Sequence, residues 1–563
     1  MNSQNNYIVD YINGSYKMTN GSSYEEIPKY INSHELCIGR VIDNKTIGSF
    51  LLNPCVGILH LSSKHIYSTD KHGVIKKDFT PFFNFYPHIR VKTKKVDLAP
   101  DICVIINIDS YENGTFVGSV LQYLGEIDTL GTSIINYLST CHWSKKYNHL
   151  SQEIIDITPN RTDMTHYDNI YSIDPIGCTD IDDAIHCKLR DGLIEIGIHI
   201  ADVSSYIADG TKLDIELSKR CATIYSTEKS INMIPDTLSI DHMSLKQDSI
   251  KRAFSMILTC NDKYDMLDIK FIKTLIKVKQ NLSYEEAQIM IDKNDNLDLK
   301  LIYNVGMGLK LKYFSKSVDP NEQYDTHQMV AIFMILCNSK VAEYIFAYDP
   351  NNALLRTHHI DVSNQQIMQD VPLEIKKLCY NVGIERAIYK RGTSTYYNHD
   401  SLNLKLYTHF TSPMRRYADI IVHRQLYDAL TKKVLLQIPA EIYFRMNVYS
   451  KIYKIIEQYS RILFVVDKMS DSIFECQAVI INIDYPHIKV YIGSLDLTYD
   501  ILICSKKLSH LLQVKYSNNE ILINDTLSLK LYQKIKLMIS ITKKSFKNII
   551  ATIIDPDIFS LIP

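Results

Sequence analysis

Tryptophan is nearly absent from this chain, one residue against 38 tyrosines, and its 12 cysteines form no Cys-x-x-Cys pair. The missing pair argues against a zinc ribbon and against a redox dithiol. The polar start MNSQNNYIVDYING is not that of a signal peptide. Reduced cysteines are therefore expected, in an intracellular protein that is cytoplasmic rather than nuclear. Long hydrophobic runs are missing too. MVAIFMILC, from Met329, is about half a membrane span, so neither a transmembrane helix nor a membrane partner is expected. An excess of charge is also lacking: the formal net charge is −1. Any RNA or DNA site must then be a local groove and not a property of the whole surface. No internal repeat, low-complexity linker or oligomerisation signal stands out, which leaves a monomer as the default. At 563 residues the chain exceeds what one hydrophobic core organises, so several domains are expected.

Against this background one stretch stands apart. Asp174-Pro-Ile-Gly-Cys-Thr-Asp180-Ile-Asp182-Asp183-Ala-Ile-His186 places four carboxylates among apolar neighbours, with no Lys or Arg between them. An acidic surface loop is the bland reading, but a solvated loop has no need of Ile181, Ala184 and Ile185. Like charges held close call for a cation, and oxygen ligands select Mg²⁺, with Mn²⁺ as a substitute. In an extended segment Asp180 and Asp182 share a face and Asp183 points away, so convergence requires a turn, which Pro175 and Gly177 allow. Aspartates holding hydrated divalent ions suit phosphodiester hydrolysis, one ion activating water and another stabilising the leaving oxygen.

A second stretch, Tyr407-Thr-His-Phe-Thr-Ser-Pro413-Met-Arg415-Arg416-Tyr-Ala-Asp419, predicts a helix with Ser412 as its cap and Pro413 just inside. A helix start offers free N–H groups to a phosphate, and Arg415 in its first turn adds a bidentate donor. The plainer reading of Arg416 is a pair with Asp419 at i, i+3, and Asp419 with His423 reads as a helix-surface pair. Tyr225 and Tyr284 are candidates for stacking on bases, although a Tyr is usually packing. His199, on a strand, is expected to be a satisfied core histidine.

The pattern along the chain is multidomain, α/β plus all-β. Residues 1–32 are polar and expected to be poorly ordered. Residues 33–140 hold short strand-like runs suited to one or two small barrels, among them HIRVKTKKV, whose alternation suggests a half-exposed strand carrying Arg90, Lys92, Lys94 and Lys95. Residues 126–165 look helical and then turn-rich. An α/β domain is expected over 141–465. Within it Val330, Phe333, Met334, Cys337 and Val341 make a core stripe at helical spacing. Strands return over 470–563 and predict a five-strand barrel.

DPIGCTDIDDAIH followed by HIADVSSYI resembles the RNB catalytic domain of the ribonuclease II family, closest to its eukaryotic, exosome-nuclease-like branch. INMIPDTLS, LSYEEAQ, HQMVAIFMILCNSKVAE, ALLRTHH and YTHFTSPMRRYADIIVHRQL follow in the family's order. The resemblance implies cold-shock-like barrels, the RNB domain and a C-terminal OB-fold. It implies a processive hydrolytic 3′-to-5′ exoribonuclease that threads single-stranded RNA and releases nucleoside 5′-monophosphates. It places Asp174, Asp180, Asp182 and Asp183 on the Mg²⁺-binding aspartates, with Asp182 the most damaging to lose. Arg415 falls on the arginine at the scissile phosphate, Tyr284 on the tyrosine against the terminal nucleotide, and Tyr225 on the aromatic that clamps the last bases; Arg416 is carried over as RNA-binding. Two departures stand out. His399-Asp-Ser-Leu-Asn403 replaces the family's His-Tyr-Gly-Leu-Ala, and Val330-Ala331-Ile332 stands where an acidic pair is often found. The N-terminal part is too short for the endonuclease domain of exosome-bound members, so exosome association is left open. The competing reading, a non-catalytic RNA binder on the same scaffold, should have lost one of the four aspartates or Arg415, and none is missing.

Overall fold

The computed structural model describes residues 6–12, 15–19, 24–26, 37–42, 45–48, 55–69, 73–81, 89–94, 100–112, 115–126, 160–227, 230–314, 324–359, 387–394, 396–469, 472–503, 513–517, 520–541 and 549–557. Most of the segment read as helical, 127–159, lies outside them. The chain divides into two compact units, residues 144–223 with 232–449, and residues 1–143 with 224–231 and 450–563. The hairpin 224–231 thus departs from the continuous 141–465 block that the sequence suggested.

The α/β unit is built on a seven-stranded sheet. Its strands are β1 (Thr162–Asp163), β2 (Tyr171–Asp174), β3 (Asp183–Arg190), β4 (Leu193–Ala201), β5 (Ile250–Cys260), β6 (Met266–Lys277) and β7 (Gln280–Ser283), in spatial order β1-β6-β5-β4-β3-β2-β7. The β3–β4 hairpin turns at Asp191-Gly192, both with positive φ (51° and 77°), the primed-turn geometry that an Asp-Gly pair favours. Ile196, Ile198 and Ile200 on one face of β4, and His199 and Ala201 on the other, are fully buried, as expected for a central strand packed on both faces. Among its described helices are α1 (Lys212–Arg220), α2 (Tyr284–Lys293), α3 (Leu297–Tyr313), α4 (Thr326–Tyr348) and α5 (Tyr417–Leu430). Helix α4 is apolar enough to cross a membrane by composition, but most of it is buried inside the fold. Val330, Phe333, Cys337 and Val341 lie in the core as the helical spacing predicts, and Met334 is half-buried.

In the β-rich unit, strands occupy Asn6–Ile12, Ser15–Thr19 and Tyr24–Glu26, within the segment expected to be poorly ordered. The missed signal is local: NYIVDYI is rich in β-branched and aromatic residues, and Ile12 pairs with Ser15 across Asn13-Gly14, a two-residue hairpin sequence. These strands join Cys37–Ile42 and Lys45–Gly48 in one sheet. Residues 55–126 close into a five-strand barrel. In its strand Ile89–Lys94, Ile89, Val91 and Thr93 are buried while Arg90 and Lys92 are half-exposed and Lys94 is exposed, the alternation read from HIRVKTKKV. Lys95 lies outside the described residues. The C-terminal strands form a five-stranded and a three-stranded sheet and not one five-strand barrel. Both sheets feed one core, which includes Ile480, Val490, Ile521, Leu529 and Ile539.

Candidate active site

The four aspartates sit where β2 ends and β3 begins. Between them the chain turns at Pro175–Cys178, closed by the Cys178 amide donating to Pro175 O at 3.0 Å, with Gly177 at φ +78°. That φ suits glycine and supplies the bend that convergence requires. The return strand is pinned by Ser244: the Ile181 amide donates to its Oγ at 3.0 Å and that hydroxyl donates to Thr179 O at 2.9 Å. The Ala201 amide donates to Asp182 O at 2.8 Å. Ser244 is fully buried. Its role was not legible in the sequence, where it is one more Ser in the mixed stretch Ser239-Ile-Asp-His-Met-Ser244.

Asp182 is the innermost of the four. Its Oδ1 accepts the Met414 amide at 3.0 Å and its Oδ2 lies 3.6 Å from Arg415 Nε. Asp174 Oδ2 is buried with no hydrogen-bond partner. All four carboxyls are pushed above the usual carboxylate range, chiefly by burial: Asp174 to about 6, Asp182 to about 8, Asp180 and Asp183 upward. They also raise one another, Asp180 acting on Asp174 and on Asp182, and Asp174 and Asp182 on Asp183, while Arg415 opposes the shift in each. Crowded, desolvated carboxylates with one partial counter-charge are an electrostatic deficit that a cation relieves. Among the described residues no group of three or more His, Cys, Asp or Glu side chains is placed so that it could hold a metal ion together. Mg²⁺ does not ask for one, since it keeps waters and is held through one or two carboxylates plus substrate phosphates.

The arginine-bearing segment differs from its sequence reading. Helix α5 begins at Tyr417, not at Pro413, and Arg415 lies in the turn before it. The reason is tertiary: Arg416 is extended (φ −140°, ψ 125°) and bridges to Ala222, while its own amide and that of Arg415 donate to Ser412 O. The N–H groups expected to greet a phosphate are therefore spent inside the protein, Ser412 N on Asp419 Oδ1 and Met414 N on Asp182. Arg415 keeps its side chain 43% exposed, with Nη2 donating to Ser412 Oγ, so it faces both Asp182 and solvent. Arg416 donates twice to Asp419, at 2.8 Å each. Asp419 and His423 are no surface pair. Both are fully buried, and His423 Nε2 meets Phe410 O at 2.8 Å.

Tyr284 opens α2 beside the aspartates, because β7 runs parallel to β2 with Ser283 opposite Asp174. Ser283 and Glu286 cap the helix reciprocally. The Tyr284 ring stacks on His327 at 3.9 Å and 13°, a partner the sequence reading did not assign. Burial and then Asp183 and Asp174 push its phenol well up. His199 is a satisfied core residue, bonded to His186 Nδ1 at 2.8 Å and to Ser255 Oγ at 2.7 Å. Tyr225 belongs to the β-rich unit and is 43% exposed. Its hairpin is tied to the helix Ala440–Lys468 by the Thr227 amide donating to Ser460 Oγ at 2.7 Å.

Residues 161–432 match the RNB domain family. Human exosome complex exonuclease RRP44 is 32% identical over 433 residues, which cover 62% of this chain and 44% of that protein. The chain thus spans less than half the length of this relative. Mycoplasma genitalium RNase R in complex with ribose-methylated single-stranded RNA superposes with a TM-score of 0.69 at 17% identity, covering 98% of this chain and 100% of the other. Yeast Ssd1, a pseudonuclease, gives a TM-score of 0.69 at 15% identity, covering 97% and 96%. Fold and site together define an RNB domain flanked by OB-like β-units. Residues 161–432 thus carry an RNB domain, and the chain is similar to exosome exonucleases of the ribonuclease II family.

Proposed function

We propose that this protein is a divalent-metal-dependent exoribonuclease that hydrolyses single-stranded RNA from the 3′ end and releases nucleoside 5′-monophosphates. One observation carries the reading. Four desolvated carboxylates raise one another's pKa beside a half-exposed arginine, and Asp174 Oδ2 has no hydrogen-bond partner within the protein. The fold alone would not decide, since a pseudonuclease shares it.

Asp174, Asp180, Asp182 and Asp183 would hold Mg²⁺, which supplies an activated water and charge stabilisation at the phosphorus. The chain's own contributions follow from the geometry. Met414 N–H and Arg415 orient Asp182, one on each oxygen. Arg415, with donors left for a ligand, is placed to take the scissile phosphate and the charge that grows on it. Tyr284, backed by His327, offers a ring to the terminal nucleotide. Tyr225 and the basic strand Ile89–Lys94 are assigned to RNA further from the end.

A 3′-tailed RNA incubated with the protein and Mg²⁺ should yield mononucleotides. EDTA should stop release, and Asp182→Asn should abolish it while RNA binding persists. Digestion that survives EDTA, or an Asp182→Asn enzyme as active as the wild type, refutes the proposal.

A further inference from the structure

The α/β unit buries a second set of charges beside the carboxylates, and this set is short of anions. Arg356, on the strand Leu354–Thr357, lies over the Tyr389 ring at 4.3 Å. Its Nη1 is buried without a hydrogen-bond partner. The backbone beneath it is fixed, with the Arg356 amide donating to Tyr407 O at 2.8 Å and the strand paired to Ile388–Arg391. The Arg416 guanidinium disfavours the charge on Arg356, and Asp419 is the carboxylate that favours both. Asp419 is already committed to Arg416 through both oxygens and to the Ser412 amide. Tyr407, His399 and His409 stand close by: His409 Nδ1 meets Tyr389 Oη at 2.6 Å, and the Tyr407 ring packs against both imidazoles. Burial and the surrounding cations push both imidazoles down, His399 to about 3, so they stand neutral at pH 7. Two guanidiniums therefore face one carboxylate, in a water-poor site where an unpaired charge is costly.

We propose that Arg356, stacked on Tyr389 and flanked by Arg416, forms a phosphate-binding pocket separate from the carboxylate cluster. A singly charged phosphodiester, or the phosphate of a free nucleotide, supplies the missing negative charge, and a guanidinium fork with an unused N–H matches its oxygens. Arg415 and Arg416 are consecutive and turn to different carboxylates, Asp182 and Asp419, so the pocket adjoins the cluster without sharing its ligands. The RNA form of the inference rests on the exoribonuclease reading. The phosphate form does not.

The test uses the full chain in EDTA. Inorganic phosphate should raise the melting temperature of the wild type, and of Asp182→Asn, beyond what chloride of equal ionic strength does. Arg356→Gln should weaken binding of inorganic phosphate and of 5′-AMP at least tenfold. With single-stranded RNA, the slope of log affinity against log salt should flatten by about 0.7 in Arg356→Gln, one phosphate contact. Loss in all three arms assigns the pocket to bound RNA. Loss for phosphate and 5′-AMP with an unchanged RNA slope assigns it to a free nucleotide. A wild type indifferent to phosphate overturns the pocket even if Arg356→Gln does not fold, and so does an Arg356→Gln protein that binds all three ligands normally. Retained phosphate binding in a protein that never hydrolyses RNA would refute the exoribonuclease reading alone.

Discussion

Replacing Asp182 with Asn should stop hydrolysis and, without metal, make the protein more stable. Burial holds the Asp182 carboxyl at about 8, against 3.8 for the free group. A carboxyl raised on folding stabilises most while protonated, below 3.8. That contribution is lost as pH climbs towards 8, because the unfolded chain ionises freely and the folded one resists. At pH 7 the difference spans about three pH units, or about 4 kcal/mol at 1.36 kcal/mol per unit, taken as a ceiling. Asparagine never ionises and escapes this loss. Its amide oxygen can still accept the Met414 amide, now at 3.0 Å from Oδ1. At pH 7 the folded carboxyl is itself still largely protonated, so the 3.6 Å contact between Oδ2 and Arg415 Nε loses no full ion pair on substitution. The net expectation is a gain of up to about 4 kcal/mol at pH 7 that vanishes near pH 4. Denaturant unfolding in EDTA at pH 4.5, 6, 7 and 8 reads it. Mg²⁺ should reverse the order, stabilising the wild type and leaving the variant behind. A variant advantage that stays flat with pH, or a variant less stable throughout, would refute the argument that burial raises this carboxyl.

Mg²⁺ binding should release protons between pH 6 and 8, because Asp174 at about 6 and Asp182 at about 8 must ionise to coordinate; calorimetry in two buffers of different ionisation enthalpy measures the release, and affinity should rise with pH across that window. Gly197→Ala should cost about 1–3 kcal/mol, since the added Cβ would lie 2.1 Å from His186 Cε1 and 2.9 Å from His199 Nε2, splitting the buried histidine pair; thermal unfolding checks it. Tyr284→Ala should weaken binding of the RNA 3′ end by about 1–3 kcal/mol while Tyr284→Phe, which keeps the ring on His327, stays near the wild type; fluorescence anisotropy with a labelled oligonucleotide in EDTA separates them.

Local pattern carried a good part of this protein. Period-two alternation predicted the half-exposed strand at Ile89–Lys94, and helical spacing predicted the core stripe of α4. The bend at Gly177 followed from needing four carboxylates in one place, and the ordered motifs named the RNB domain that residues 161–432 match. The alternation, the helical stripe and the bend each rest on residues within a few positions of one another, where sequence spacing sets spatial spacing, and each motif of the RNB series is itself as local. What the sequence left open, or suggested wrongly, involves partners far apart in the chain. Ser412-Pro413 has the composition of a helix start, yet Ala222 holds Arg416 extended and Asp419 takes the Ser412 amide, so α5 waits until Tyr417. Asp182 meets an amide 232 residues away. Arg356, an unremarked residue in ALLRTHH, becomes a buried cation only because Tyr389 and Arg416 are brought to it. Residue types and their spacing thus determined which groups this chain has for chemistry. Burial, and with it the charge each group carries and the partner each amide finds, was decided by tertiary packing, because desolvation depends on every neighbour in space and on few in sequence.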